Sequence, residues 1–308
     1  MIPDSFRSLI AGRAADPLGT RAVDGDTWLA RLPGLLEEHL HRWDLTPDGT
    51  ARHGENAIVL PVVRDGNQAV LKLTWPHVEA EDEHLVLRQW AGRGAVRLLA
   101  ANPAADALLL ERLDAERPLT SVSVLESCEV IGGLFRELDR TAGPQFSTVE
   151  DRAVRWNQQV RDAPRSVPPR LARQALSVLT DLLAEPGPRR LVHEDLHDAN
   201  VLAPLESNRG LWLAIDPKPV AAGWEFAVAP VVWNRAEEAA RAYNLRSHVR
   251  LRADVVAEAA GLDLDRVYAW TFVRLVLNAV WAAPYAPASD DFRGRMIALA
   301  KAFADPPD

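Results

Sequence analysis

Cysteine is almost absent from this chain of 308 residues: Cys128 stands alone. One thiol cannot close an internal disulfide, and a cysteine-rich zinc site is excluded with it. Cys128 reads as a small residue buried in a helix. Long apolar runs are missing too. None approaches the roughly 18 residues that cross a bilayer, so no membrane segment is expected. The N-terminal run MIPDSFRSLIAGRAADP carries charges where a signal peptide has its apolar stretch, and the expected location is cytoplasmic. A basic excess is lacking, with 35 Lys and Arg against 43 Asp and Glu and a net charge of −8. That balance argues against a nucleic-acid partner and suits a cationic ligand. Lysine itself is scarce, limited to Lys72, Lys218 and Lys301 in a chain that otherwise uses Arg. A lysine inside a strand, as Lys72 is expected to be, raises the question of what Arg could not do there.

What is present is 48% hydrophobic and 25% charged, the make-up of a globular protein with a sizeable core. Residues 1 to about 50 read as irregular segments and short helices. An apolar stripe from Trp28 to Trp43 is interrupted by Pro33. AIVLPVV (57–63) and QAVLKLT (68–74) flank Asp65-Gly66-Asn67 and read as a β-hairpin. A helix over His77 to Ala91 follows, then strands at 95–100 and 106–113. After Asp114 the character turns helical, with helices expected at about 120–140, 149–162, 168–185, 233–260, 264–283 and 289–304. The fold class is therefore α+β: a small antiparallel β-sheet lobe over residues 1–113 with an N-terminal helical extension, then a mainly helical lobe over 114–308.

The most informative run is LVHEDLHDANVLAPLESNRGLWLAIDP, residues 191–217. Asp195, Asn200 and Asp216 stand at the edges of its short apolar pieces. Such an order suits phosphoryl transfer, in which one carboxylate takes the proton of an attacking hydroxyl. An amide and a second carboxylate then hold Mg²⁺ against the nucleotide phosphates. In that reading Lys72 reaches the phosphates of ATP, fixed by an acidic residue on the following helix. Glu83 is the candidate for that partner, with Glu79, Glu81 and Asp82 as competitors. The loop DGTARHGEN (48–56) supplies Gly54 and Asn56 near the phosphates. The connection LLLERL (108–113) supplies the carbonyl of Glu111 and the N–H of Leu113 for a purine edge.

His193-Glu194-Asp195-Leu196-His197 also spells H-E-x-x-H, a zinc-hydrolase motif that needs both histidines on one helix face and a third ligand. Against it, Pro188 and Pro204 bound the window and Ala203 stands where the extended motif has its third histidine. Glu225 is left as a distant candidate.

With these residues assembled, the chain resembles the aminoglycoside phosphotransferase branch of the protein-kinase-like fold. The resemblance is nearest to the streptomycin 6-kinase and hydroxyurea-type resistance kinases. It is carried by HGENAIVLPVVRDGNQAVLKL, EHLVLRQWAGRGAVRLL, LLLERL, LVHEDLHDANVL, WLAIDPKPV and VAPVVWNR. It implies a two-lobe kinase that moves the γ-phosphate of ATP to a hydroxyl of a cationic aminoglycoside. Asp195 would be the base, Asn200 and Asp216 the Mg²⁺ ligands, and Lys72 with Glu83 the phosphate anchor. Glu111 and Leu113 match the adenine-contacting hinge. Acidic residues of the helical lobe (Glu237, Glu238, Glu258, Asp263, Asp265, Asp290, Asp291) are candidate contacts for such a substrate, though solvated helix faces are the expected reading for most of them. Trp270 and Trp281 are expected in the core. Two positions depart from the family. Glu194 stands where a glycine is usual, and Ala227 where an Asp would brace the catalytic loop. They motivate the alternative of an impaired nucleotide-binding protein acting as a sensor.

Overall fold

Alternating apolar residues make Ala57–Arg64 and Asn67–Thr74 an antiparallel hairpin closed by Asp65 and Gly66. Both turn residues are left-handed, with φ of 50° and 76°, which matches the twist of the flanking strands. In the computed structural model, residues 2–163, 165–285 and 287–304 are described. The hairpin lies within a six-stranded antiparallel sheet. Its order runs Thr46–Pro47, Ala57–Arg64, Asn67–Thr74, Ala107–Glu111 and Leu98–Asn102, with Arg52–His53 also paired to Ala57–Arg64.

Successive strand residues point to opposite faces. Ala69, Leu71 and Leu73 join Ile58, Leu60 and Val62 in one core, covered by Phe6, Ile10, Trp28 and Leu32. These last four come from the helices Asp4–Ile10 and Gly25–Arg42. The N-terminal region is thus better ordered than its sequence pattern suggests. Its 18-residue helix runs through Pro33, started by Asp24, whose side chain accepts from the N–H of Thr27. Proline removes one backbone bond there, and burial of Trp28, Leu29 and Leu32 holds the helix together. The expected helix from His77 is split into a 3₁₀ turn, Val78–Ala80, and the helix Glu83–Trp90. The N–H of Val78 is drawn to the carboxylate of Asp16 at 2.8 Å. The strand expected at 95–100 lies at Leu98–Asn102.

The chain forms two compact units, Met1–Arg117 with Leu202–Lys218, and Pro118–Val201 with Pro219–Asp308. Residues 202–218 return to the first unit because their backbone is paired there. Val201–Pro204 lies between Leu113–Pro118 and Leu213–Ala214 in a three-stranded sheet. Ala214 also exchanges backbone hydrogen bonds with Val96 and Gly94, at 2.9 Å each.

In the second unit, long helices span Val124–Leu138, Val149–Asp162, Pro169–Ala184, Leu245–Ala260, Leu264–Ala282 and Asp290–Phe303. A two-stranded antiparallel ribbon, Arg190–His193 with Pro219–Ala222, presents the catalytic-loop candidate. Helix Val149–Asp162 begins with a capping box between Thr148 and Asp151, which fixes its first turn. Gly132 allows a close approach of Val124–Leu138 to Leu245–Ala260, since a Cβ there would lie 2.6 Å from that of Ala259. Helix Leu264–Ala282 is the most enclosed. From Trp270 to Val280 every residue is buried except the half-buried Arg274 and Asn278. Trp270 is core, as expected, whereas Trp281 is 39% exposed and donates its indole N–H to Gln159 at 2.9 Å. Among the described residues no helix is long and apolar enough to cross a membrane.

Candidate active site

In the first unit, the face of strand Asn67–Thr74 opposite the N-terminal helices carries Lys72. Its ammonium donates to both carboxylate oxygens of Glu83, at 2.7 Å each, and also contacts Asp216. Glu83 opens the helix Glu83–Trp90, and both partners of the pair are buried. Two of its sequence competitors are engaged elsewhere. Glu79 pairs with Lys218 at 3.2 Å, and Glu81 accepts from the N–H and hydroxyl of Thr20. Burial pushes the Glu83 carboxyl up to about 7, against the pull of Lys72 and with a further rise from Asp216. For Lys72, burial alone would lower the ammonium; Asp216 and Glu83 outweigh it and hold the group above its ordinary value. The lysine is therefore a fixed positive charge. Asp216 is left-handed, with φ of 53°, a conformation that few non-glycine residues adopt.

Gly54 and Asn56 lie in the turn before Ala57–Arg64. The N–H of Gly54 donates to the carbonyl of Ala57 at 3.0 Å. The side-chain oxygen of Asn56 accepts from Arg13 at 2.6 Å, and its carbonyl accepts from the N–H of Trp75 at 2.7 Å. Space above Gly54 is open, since a Cβ there would meet no atom within 4 Å. Glu111 ends the strand Ala107–Glu111, and buried Leu113 begins the next. The Glu111 carboxylate is gripped by Arg209, with Nη2 at 2.6 Å and Nε at 3.2 Å, and Arg209 also donates to the carbonyls of Gly92 and Ala95. Sequence reasoning missed Arg209, which lies in an unremarkable polar turn 98 residues from its partner.

In the second unit, Asp195 follows the strand Arg190–His193 in a tight turn. Its N–H donates to Nδ1 of the buried His193 at 3.2 Å, and its carbonyl accepts from the side-chain amide of Asn200 at 2.9 Å. The backbone of Asp195 is thus tied on both sides. Because the amide NH₂ of Asn200 is engaged with Asp195, its oxygen is the atom suited to a hard cation. Asp216, in the first unit, carries carboxylate oxygens, and Mg²⁺ prefers oxygen donors of both kinds.

His193 belongs to a strand and His197 caps the 3₁₀ turn Asp198–Asn200, so the two do not share a helix face as H-E-x-x-H zinc binding requires. Among the described residues no group of three or more His, Cys, Asp or Glu could hold a metal. Buried Asp198 is pulled below its usual range by His197 and Arg235, which outweigh its burial. Arg235 also donates to the carbonyls of Val122, at 2.8 Å, and Leu119, at 3.1 Å. Glu194, the odd residue of the motif, turns its buried carboxylate into Arg152 of helix Val149–Asp162, with Nη1 at 2.8 Å from both oxygens. Several of the acidic residues weighed as substrate contacts are engaged within their own helices. Glu237 pairs with Arg241, Glu238 with Arg235 and Asp290 with Arg293, while Asp263 caps Leu264–Ala282.

The two-lobe succession of a β-sheet unit with a buried Lys–Glu pair and a helical unit with an Asp-turn-Asn loop defines a kinase-like phosphotransferase. A solved spectinomycin phosphotransferase in complex with ADP and spectinomycin shares the fold, at a TM-score of 0.56 and 15% identity over 89% of this chain and 94% of that one. Residues 42–285 match the family described as aminoglycoside/hydroxyurea antibiotic resistance kinase. A streptomycin 6-kinase of Streptomyces glaucescens is 40% identical over 84% of this chain and 85% of its own length. A hydroxyurea phosphotransferase of Kitasatospora aureofaciens is 39% identical over 83% and 75%. The chain belongs to the aminoglycoside/hydroxyurea antibiotic resistance kinase family.

Proposed function

We propose that this kinase transfers the γ-phosphate of ATP to a hydroxyl of a streptomycin-like aminoglycoside, at the position the name streptomycin 6-kinase denotes. The observation that carries the reading is the buried Lys72 ammonium held by both oxygens of Glu83. A lysine fixed in this way binds nucleotide phosphates without searching for its orientation. Asp195 takes the proton of the attacking hydroxyl as the new O–P bond forms and the bond to the β,γ-bridging oxygen breaks, releasing ADP. Its task is mainly orientation, which the ties at its N–H and carbonyl supply. Asn200 and Asp216 are the residues that would hold Mg²⁺, and the ion would neutralise charge on the phosphates. Gly54, Asn56, Glu111 and Leu113 line the nucleotide's path in this reading, with the Glu111 carbonyl and the Leu113 N–H at the adenine. The need for ATP and Mg²⁺ as co-reactants supports a cytoplasmic location. The net charge of −8 suits a polycationic acceptor.

The test is Mg·ATP turnover with streptomycin and with hydroxyurea, the phosphorylated product being located by mass and NMR. Asp195→Ala is expected to abolish transfer and leave nucleotide binding nearly unchanged. Transfer that persists in this variant removes Asp195 as the base. Tight Mg·ATP binding with no product from any acceptor favours the sensor reading.

A further inference from the structure

Arg274 is the one charged residue in the enclosed stretch Trp270 to Val280 of helix Leu264–Ala282. Its Nη1 donates to the carbonyl of Glu194 at 2.8 Å and to the carbonyl of Phe226 at 3.1 Å. Its guanidinium lies over the rings of Phe226, 4.5 Å from the centroid, and of Trp233, at 5.0 Å. The Glu194 carbonyl belongs to the peptide that enters Asp195. His193 and Asn200, which also hold the Asp195 backbone, lie within five residues of it in sequence. Arg274 instead links that peptide to the most buried helix of the unit. Two carbonyl oxygens facing one position need a donor between them, and the methyl side chain of the neighbouring, fully buried Ala227 cannot supply one. A guanidinium clamped between two aromatic faces is a fixed donor, because cation–π contact and its own planarity restrict its rotation.

We infer that Arg274 is a positioning residue for phosphoryl transfer: it fixes the peptide preceding Asp195 and so sets the direction of that carboxylate. The inference rests on Asp195 being the base. It acts on the rate of the chemical step rather than on substrate binding, and it is tested in the full-length enzyme with Mg·ATP and streptomycin.

Arg274→Met is expected to lower kcat about 30-fold or more, with KM for ATP and for streptomycin within about 3-fold of the wild type. Arg274→Lys keeps a cation over Phe226 and Trp233, and separates positioning from folding. It is expected to show reduced kcat with a melting temperature near the wild type. The double variant Arg274→Met/Asp195→Asn is expected to be no slower than Asp195→Asn alone, since both changes disable one group. The inference is overturned if both Arg274 variants keep kcat within about 3-fold of the wild type, or lose it only in proportion to the unfolded fraction. If Asp195→Asn itself transfers phosphate at the wild-type rate, the base assignment falls and the inference with it. If Asp195→Asn is inactive and both Arg274 variants are unaffected, the inference alone falls.

Discussion

Replacing Arg152 with methionine leaves the Glu194 carboxylate buried without its cation. Both oxygens lie 2.8 Å from the same guanidinium nitrogen, and the side chains are 7% and 18% exposed for Glu194 and Arg152 respectively. Breaking a buried pair from one side costs about 3–5 kcal/mol, and the partial access of water to Arg152 puts this case near the lower end, about 3 kcal/mol. The bond from Arg152 to the Pro219 carbonyl, at 3.2 Å, adds about 1 kcal/mol. A total of about 4 kcal/mol corresponds to a fall in Tm of about 8–16 °C for a unit of this size. Differential scanning calorimetry of Arg152→Met, Glu194→Gln and the double variant measures it. The double variant should recover most of the loss, because the neutral amide no longer strands a charge. A loss below about 1 kcal/mol in Arg152→Met, or a double variant as unstable as the sum of the singles, would refute Glu194 as a structural ion-pair partner.

Lys72→Met should reduce kcat/KM about 10²–10³-fold by removing a fixed donor to the phosphates, read by ADP release at varied ATP. Gly132→Ala should destabilise by about 1–3 kcal/mol in urea unfolding, since its Cβ would overlap Ala259 and the Val256 carbonyl. Arg209→Ala should destabilise the first unit by about 3 kcal/mol and raise its hydrogen-exchange rate near Glu111, whose carboxylate would lose its nearer cation and keep only Arg97. Asp139 is held below its ordinary value by Arg190, with burial opposing and Trp224 assisting. A depressed carboxyl stabilises the fold above its unfolded pKa of about 4 and loses that contribution as pH falls below it. The stability gap between wild type and Asp139→Asn should therefore be about 1 kcal/mol or less at pH 6, the pair being about a third exposed, and close toward pH 3.

The elements with local signals were legible in the sequence. The hairpin follows from Asp65-Gly66 between alternating runs, and helix Val149–Asp162 lies where a helix is expected at 149–162. Lys72 stood out by rarity, and Glu83 by its place on the next helix. What escaped were the arginines that hold the loops. Arg152 reaches Glu194 across 42 residues, Arg274 across 80, and Arg209 reaches Glu111 across 98. No periodicity marks an ion pair closed by tertiary folding, and among 35 basic residues these three looked like any others. Pro33 misled for a related reason, since the packing of Trp28 and Leu32 outweighs one missing backbone bond. Glu194 was visible as an anomaly, and only its partner explains it.

The return of residues 202–218 to the first unit has a consequence for synthesis. When Arg117 leaves the ribosome, the strand Leu113–Pro118 still lacks its neighbour Val201–Pro204, and Glu111 still lacks Arg209. About a hundred residues must follow before either arrives, which takes roughly 5–20 s at ordinary elongation rates. Throughout that interval the nascent chain carries an unpaired strand edge, the feature that recruits other chains. The first unit therefore cannot be finished until residues 118–201 of the second have been made, and expression of residues 1–117 alone should yield aggregates rather than a nucleotide-binding fragment.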